Sequence, residues 1–470
     1  MSKPGRFSLR TFNPRTFNLR TLQLTLLAAL TVVLGACSDS SDGDSGFPAA
    51  PTINFGTATF EVLHASQDAP PVNVTVSGNP LASNLGYGAS DVLDTTAGTV
   101  SVAVEGIIPG GNATVIGPAD VDSTDGQRIT IIAAGPVTSI EPLIFTDDQP
   151  EVAATDVRVR VIHAASTAPM VDVYVTDPAT DITTVAPFGT FEFRGDLGPE
   201  VVPEGTYRIQ VTIAGNATAV AFDSGPVTLA GGSDLVVAAI PNVATGGAAV
   251  ELAVLTGSGS LRLVDVNSTA DVRVVHASPD APAVDVIAAD DFAMPAVSNL
   301  AFPNVTGYLN LTPGALNVKV VPTGLTTPVV IDADVELAAA TAYTVLAVDT
   351  LANIQPLVLV DDIRRVATEA RVRIIHASPS AGDVDIYVVA PGGSIDGVTP
   401  NFSAVPFLAD TGYVSLAPGD YDVIVTATGS QTAAIGPATI SVAAGGIYTA
   451  AARDEVGIGT PLGLILYDDF

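Results

Sequence analysis

Apolar and polar positions alternate with a period of two along most of the chain, and short runs are separated by Pro, Gly, Asp and Asn. In VRVRVIHA, Val157, Val159, Val161 and His163 fall on one strand face, and Arg158, Arg160 and Ile162 on the other. In VDVYV, Val171, Val173 and Val175 oppose Asp172 and Tyr174, which predicts a second, half-buried strand. About six or seven such runs per hundred residues predict an all-β chain of antiparallel sandwiches. No stretch carries a helical 3.6-residue period.

One phrase returns four times: FEVLHASQDAPPVNVTV from Phe60, VRVIHAASTAPMVDVYV, VRVVHASPDAPAVDVIA from Val272 and VRIIHASPSAGDVDIYV from Val372. It holds all four histidines, His64, His163, His276 and His376, spaced by 99, 113 and 100 residues, the length of a small domain. AGTVSVAV, EGTYRIQV, PGALNVKV and PGDYDVIV recur in step, as do DGQRITIIAA, GGSDLVVAAI, ATAYTVLAV and GGIYTAAAR. Repeats one, three and four close with PLIFTDD, PLVLVDD and PLGLILYDD. Repeat two closes instead with ELAVLTGSGSLRLVDV, where Gly257 to Ser260 reads as a loop insertion. The expected domains are 57–150, 155–264, 270–363 and 370–470, a tandem array of four β-sandwiches.

The N-terminus is different. Lys3, Arg6, Arg10, Arg15 and Arg20, with no acidic residue, precede the apolar run Thr21 to Ala36, which is the layout of a secretory signal peptide over 1–36. The run is short for a membrane span of about 20 apolar residues. It ends in Leu34-Gly35-Ala36-Cys37, which resembles the bacterial lipobox, and Cys37 is the one cysteine of the chain. That resemblance implies lipidation at Cys37, and Ser38 after it implies sorting to the outer membrane, where several acyl chains hold stably. Residues 37–56 then read as lipid attachment and a flexible acidic tether, since SDSSDGDSG can bury nothing. Asp39, Asp42 and Asp44 faintly resemble a calcium loop, but the closing Glu is missing.

Composition narrows the function. Acidic residues outnumber basic ones 49 to 18, a formal charge of -31, so a phosphate backbone is repelled and nucleic acid is excluded as a partner. Loss of residues 1–36 takes away five cations and no anion, which makes the remainder more acidic still. A single Cys forms no internal disulfide, and four His leave little for a metal centre. With two lysines in all, no phosphate-cradling loop, CxxC or HExxH is present, and no cofactor is expected. Tryptophan is absent, although single tyrosines such as Tyr308 and Tyr413 are candidates to line a sugar groove.

HASPDAP followed by VDV resembles the bacterial family called domain of unknown function 4397, in four copies over nearly all of 57–470. The resemblance implies immunoglobulin-like or transthyretin-like sandwiches on secreted and surface proteins. It implies no activity.

The recurring histidines are ligand candidates, but their presence in every copy points to the fold: an imidazole ending a valine-faced strand can donate one ring N–H to a turn carbonyl or Asp and brace the strand exit. A Ser-His-Asp set inside the phrase does not recur, because Ser66, Ser278 and Ser378 become Ala165, while Asp68 and Asp280 become Thr167 and Ser380. The doublets Asp147-Asp148, Asp361-Asp362 and Asp468-Asp469, with Asp290-Asp291 in a separate loop, are weak calcium candidates or, more plainly, solvated strand terminators. Asp172, Asp285 and Asp385, replaced by Asn73 in repeat one, are expected to pair with arginines of the preceding strand.

The expected protein is a non-catalytic, outer-membrane lipoprotein that binds, adheres or spaces. Its membrane contact is the N-terminal lipid, and its other partner is a protein or glycan of the envelope. Repetition favours this reading, because linked weak sites gain avidity. The alternatives are a hydrolase with its site in one divergent repeat, and a calcium-stabilised surface array.

Overall fold

The computed structural model describes residues 56–468; the expected signal peptide, Cys37, most of the tether and Asp469 lie outside the described residues, as does the side chain of Asp468. Repeat one contains β1 (Thr57–Ala65), β2 (Val72–Val76), β3 (Asn79–Leu85), β4 (Ser90–Thr96), β5 (Gly98–Ile108), β6 (Gly111–Ser123), β7 (Gln127–Ala134) and β8 (Glu141–Asp148). They form two sheets, ordered β4-β1-β7-β8 and β3-β2-β5-β6. The other repeats copy this arrangement, starting from Asp156–His163, Ala270–His276 and Ala370–His376. The chain is all-β, as its period of two predicts.

The antiparallel expectation needs one correction: β1 and β7 run parallel, and so do their equivalents in every repeat. Each connection reverses the chain, so the fourth strand returns antiparallel to the first and the seventh returns parallel to it. The first two strands lie in different sheets, unlike the constant-type immunoglobulin order, in which they share one.

Sequence detail sets local geometry. Gly117, Gly225 and Gly436, each followed by Pro, sit in β6 and its equivalents with φ of 75°, 61° and 89°. At Gly117 and Gly436 an added Cβ would come within 2.4 Å of a backbone oxygen of the neighbouring strand. The ladder skips a residue there, as a glycine bulge does. Repeat three has no Gly-Pro at this place, and its pair runs from Gly314↔Leu337 to Val320↔Ile331 without a shift.

The valine faces fill each sandwich, for example Val157, Val159, Val161, Val171, Val173 and Phe222 in repeat two. The opposite face of the histidine strand is also buried, between repeats. Leu63, Ile132 and Leu143 of repeat one pack on Ile162, Ala238 and Leu255 of repeat two. Val275, Leu346 and Val348 of repeat three likewise meet Ile375, Ala451 and Ile465 of repeat four. Equivalent sheets face each other in both seams, the pattern of an isologous dimer within one chain.

The segments between the sandwiches are packed rather than loose. Asp265 accepts from the Asp223 amide at 2.8 Å, and Arg364 donates to the carbonyls of Gln67 at 3.3 Å and Ala69 at 2.7 Å. Arg364 also lies 5.6 Å over the Tyr87 ring, which ties the segment before repeat four to repeat one.

Repeat two differs at its end. Gly257 to Ser260 is the turn of a hairpin rather than a loop insertion: Val250–Leu255 pairs with a short extra strand, Ser260–Leu263, which widens that sheet to five strands.

Candidate functional site

The four imidazoles occupy one repeated setting. Each is at most 1% exposed. Nε2 lies 2.9 Å from the Pro70 carbonyl at His64, and 3.0 Å from the carbonyls of Pro169, Pro282 and Gly382 at the others. A carbonyl only accepts, so Nε2 carries the proton. Nδ1 then accepts the amide N–H two residues on, from Ser66, Ala165 and Ser378, each at 3.3 Å. The contact uses the amide, which is why Ala165 serves as well as serine.

An aromatic ring stands edge-on to each histidine: Tyr87, Phe193, Phe302 and Phe407, with centroids 6.0–6.5 Å apart. Burial pushes the His64 imidazole down to about 4, and burial likewise lowers His163 and His276. The arrangement closes the turn after the first strand and leaves the ring without a substrate-facing nitrogen at Nε2. The turn aspartates bond elsewhere, Asp68 to the Val137 amide at 2.8 Å and Asp280 to the Leu351 amide at 2.7 Å. Ser378 donates to Asp454 rather than to the imidazole, and the Ser66 and Ser278 hydroxyls are buried. The residues of a nucleophilic triad are therefore neighbours without triad connectivity.

Two aspartates of the acidic doublets are not solvated terminators. Asp147 and Asp361 are 5% and 6% exposed, whereas Asp148 is exposed and Asp362 half-buried. The strand's pleat sends the first carboxylate into the seam, where arginines of the neighbouring repeat wait. Asp147 takes a bidentate pair from Arg160, at 2.9 and 2.6 Å, with Arg128 and Arg158 each at 3.6 Å. Asp234 joins Arg128 at 3.1 Å and Arg158 at 2.7 Å, and Asp196 joins Arg160.

In the other seam, Asp361 accepts from Arg373 at 2.5 Å, Thr344 at 2.6 Å and Tyr308 at 2.6 Å. Guanidinium groups thus occupy the oxygens that a calcium ion would need. Asp362 pairs with Arg371, and Asp290 with Lys319. Asp468 ends its strand opposite Tyr448. Among the described residues, no group of three or more His, Cys, Asp or Glu is placed to hold a metal.

Tyr308 and Tyr413 each stack on an arginine of the seam. Arg273 lies 4.9 Å over Tyr308 and Arg373 4.6 Å over Tyr413, so both rings cover the seam's cations.

The aspartates of the VDV strand pair with backbone amides, not with arginines. Asp285 accepts from Asn299 and Gly324 at 2.7 and 2.8 Å, and Asp385 from Ala404 and Gly429 at 2.8 and 2.9 Å. Asn73 accepts from Asn84 at 3.0 Å. Asn84, Asn299 and Ala404 have φ of 55°, 53° and 51°, so the side chain pins a left-handed residue that turns the third strand. Asp172 differs, taking Thr190 Oγ1 and the Gly215 amide. These amide bonds hold the Asp285 and Asp385 carboxyls below their usual range.

Sequence reasoning missed Glu61, which takes the place of the seam arginines Arg160, Arg273 and Arg373 three residues before histidine. It is fully buried, accepts from the Gly257 amide at 3.3 Å, and burial raises its pKa. The substitution was visible in the aligned phrases, but its meaning depends on a facing repeat that the alignment does not show.

No curated protein matches the sequence. A solved structure titled "The Bacillus anthracis TIE protein" matches at 11% identity over 82% of this chain and 69% of that chain, with a TM-score of 0.15, a value that supports no structural inference. The family described as "Domain of unknown function (DUF4397)" matches residues 58–174 and 270–387, each span holding two of the recurring histidines. By that match, and by the repeated histidine brace inside it, the chain belongs to the DUF4397 family.

Proposed function

We propose that this chain is a non-catalytic binding module of the cell envelope, anchored by lipid at Cys37 and presenting its four sandwiches on the outer membrane. The observation that carries the non-catalytic part is the fourfold recurrence of one buried Nε2 contact. All four rings are buried, and all four direct Nε2 at a backbone carbonyl. A general base needs a free nitrogen within reach of a substrate proton.

The packed connections support binding over spacing. Arg364 fastens the segment before repeat four to repeat one instead of letting the sandwiches string out. The anchor rests on the lipobox-like Leu34-Gly35-Ala36-Cys37 and the basic, then apolar, segment before it.

Two experiments test this reading. Metabolic labelling with a palmitate analogue should mark the wild-type chain and not Cys37→Ser; equal labelling of both removes the anchor. The purified chain should turn over no ester, phosphoester, glycoside or peptide in a broad panel. Turnover abolished by a single His→Gln change, in a chain that still melts normally, would make it a hydrolase.

A further inference from the structure

The last strand of each sandwich borders the opening between its two sheets, and the four repeats treat that border differently. Following the ladder from each histidine across the seventh strand to the eighth leads to Pro142, Leu252, Pro356 and Leu464. Pro142 and Pro356 sit inside edge strands, where proline removes an outward N–H and so blocks addition of another strand. Leu252 has no such block, and Leu263 of the extra strand pairs with it. Leu464 also has no such block, and among the described residues its strand, Gly463–Asp468, is the outermost of its sheet.

Two residues further on, the equivalent side chains are Ile144, Val254, Val358 and Leu466. Val254, beside the extra strand, is 8% exposed, while Ile144, Val358 and Leu466 are 43%, 38% and 57% exposed. At repeat four the gap beside this strand is a cavity of about 320 Å³ bounded by Leu464, Leu466, Tyr448, Ile440 and Ser441. Leu263 belongs to the apolar core of repeat two, so the chain itself displays what fills such a gap.

We infer that the edge Gly463–Asp468 of repeat four is a strand-addition site for an extended segment of a partner protein. This deepens the binding reading above and rests on it. The segment is apolar at alternate positions and basic between them, as in Leu261-Arg262-Leu263, where Leu263 joins the core, Leu261 stays largely exposed and Arg262 reaches the buried Glu251 on the opposite face. Main-chain hydrogen bonds to the edge provide affinity, and the cavity selects the inward side chain. Charge argues against a second copy as the occupant, because this chain has 49 acidic and 18 basic residues and repels itself. It favours a basic segment for the same reason.

The probe is a fluorescent peptide with the sequence Ser-Gly-Ser-Leu-Arg-Leu-Val, that of residues 258–264. Fluorescence anisotropy with the chain lacking residues 1–36 should show saturable binding, and amide exchange should slow in 463–468. Leu464→Pro imports the residue that repeats one and three carry, so the fold should survive; binding should weaken by about tenfold or more. Leu466→Asp should do the same through the inward face.

No binding, binding insensitive to both changes, or slowed exchange at Gln355–Asp361 instead would overturn the proposal. So would a concentration-dependent dimer dissolved by Leu464→Pro, since the occupant would then be a second copy. A chain that ignores the peptide and also turns over no substrate leaves the non-catalytic reading intact.

Discussion

The two seams join the same face of the same sheet with different chemistry. Between repeats one and two, equivalent ladder positions carry Arg128 and Asp234, opposite charges that meet across the pseudo-two-fold contact. Between repeats three and four the same positions are Ala342 and Ile447, and the charge gathers at Asp361, among Arg373, Thr344 and Tyr308. In a two-fold contact, equivalent residues approach each other, so two Arg128 or two Asp234 would repel. The first seam therefore specifies that repeat one pairs with repeat two and not with a copy of itself. The second relies on apolar packing around one buried carboxylate.

The largest effect should follow from breaking the first code. Arg128→Asp leaves Asp147 and Asp234 facing a third carboxylate in a buried site, and should cost on the order of 5 kcal/mol. Adding Asp234→Arg in the same chain should recover part of that loss, as measured by urea unfolding. No recovery would mean that the two positions do not read each other.

Next, Asp361→Asn should destabilise the second seam by about 3–5 kcal/mol, because it strips Arg373 of a buried carboxylate. Asp147→Asn should cost less, since Arg128 and Arg158 keep Asp234, and Arg160 keeps Asp196. Hydrogen exchange can follow each seam separately, and equal losses would refute the contrast.

Acid sharpens the comparison in a third way. His64 holds a pKa of about 4 in the fold, against 6.5 ordinarily. The unfolded chain therefore takes its proton first, and stability is lost as pH falls from about 6.5 to about 4, by about 3 kcal/mol at this residue. His64→Gln should flatten that fall in denaturant titrations across this window. Glu61 and Glu251, raised by burial, act with the opposite sign and add stability as pH drops through their folded values.

The smallest effect belongs to Glu61→Gln. Its buried carboxylate costs desolvation, so the neutral amide should change stability at neutral pH by no more than about 1 kcal/mol. A loss several times larger would show that its charge is required beside Arg128.

Much of this was legible in the chain, and the gaps have physical causes. The valine face of VRVRVIHA reads directly as core, because period and hydrophobicity agree at Val157, Val159 and Val161. Its other face, with Arg158 and Arg160, reads as solvent, because charged residues are rarely buried unless paired. Their partner Asp147 comes from another repeat, and nothing local announces it. The same blindness made Asp147 and Asp361 look like solvated strand ends. Asp285 and Asp385 were matched to arginines because ion pairing is the common role, whereas the left-handed Asn299 and Ala404 that they pin show only in the backbone. The histidine brace was nearly complete in sequence, and its carbonyl acceptor was foreseen in kind. The aromatic ring on each imidazole was not, since Tyr87, Phe193, Phe302 and Phe407 share no fixed spacing from histidine.

The central claim, that four equivalent imidazoles brace four equivalent turns, is tested most directly by nitrogen-15 NMR of the histidine rings. The four side chains should all show the neutral Nε2–H tautomer at neutral pH, with His64 staying neutral until about pH 4. A ring in the Nδ1–H form, or His64 titrating at its ordinary value, would contradict it.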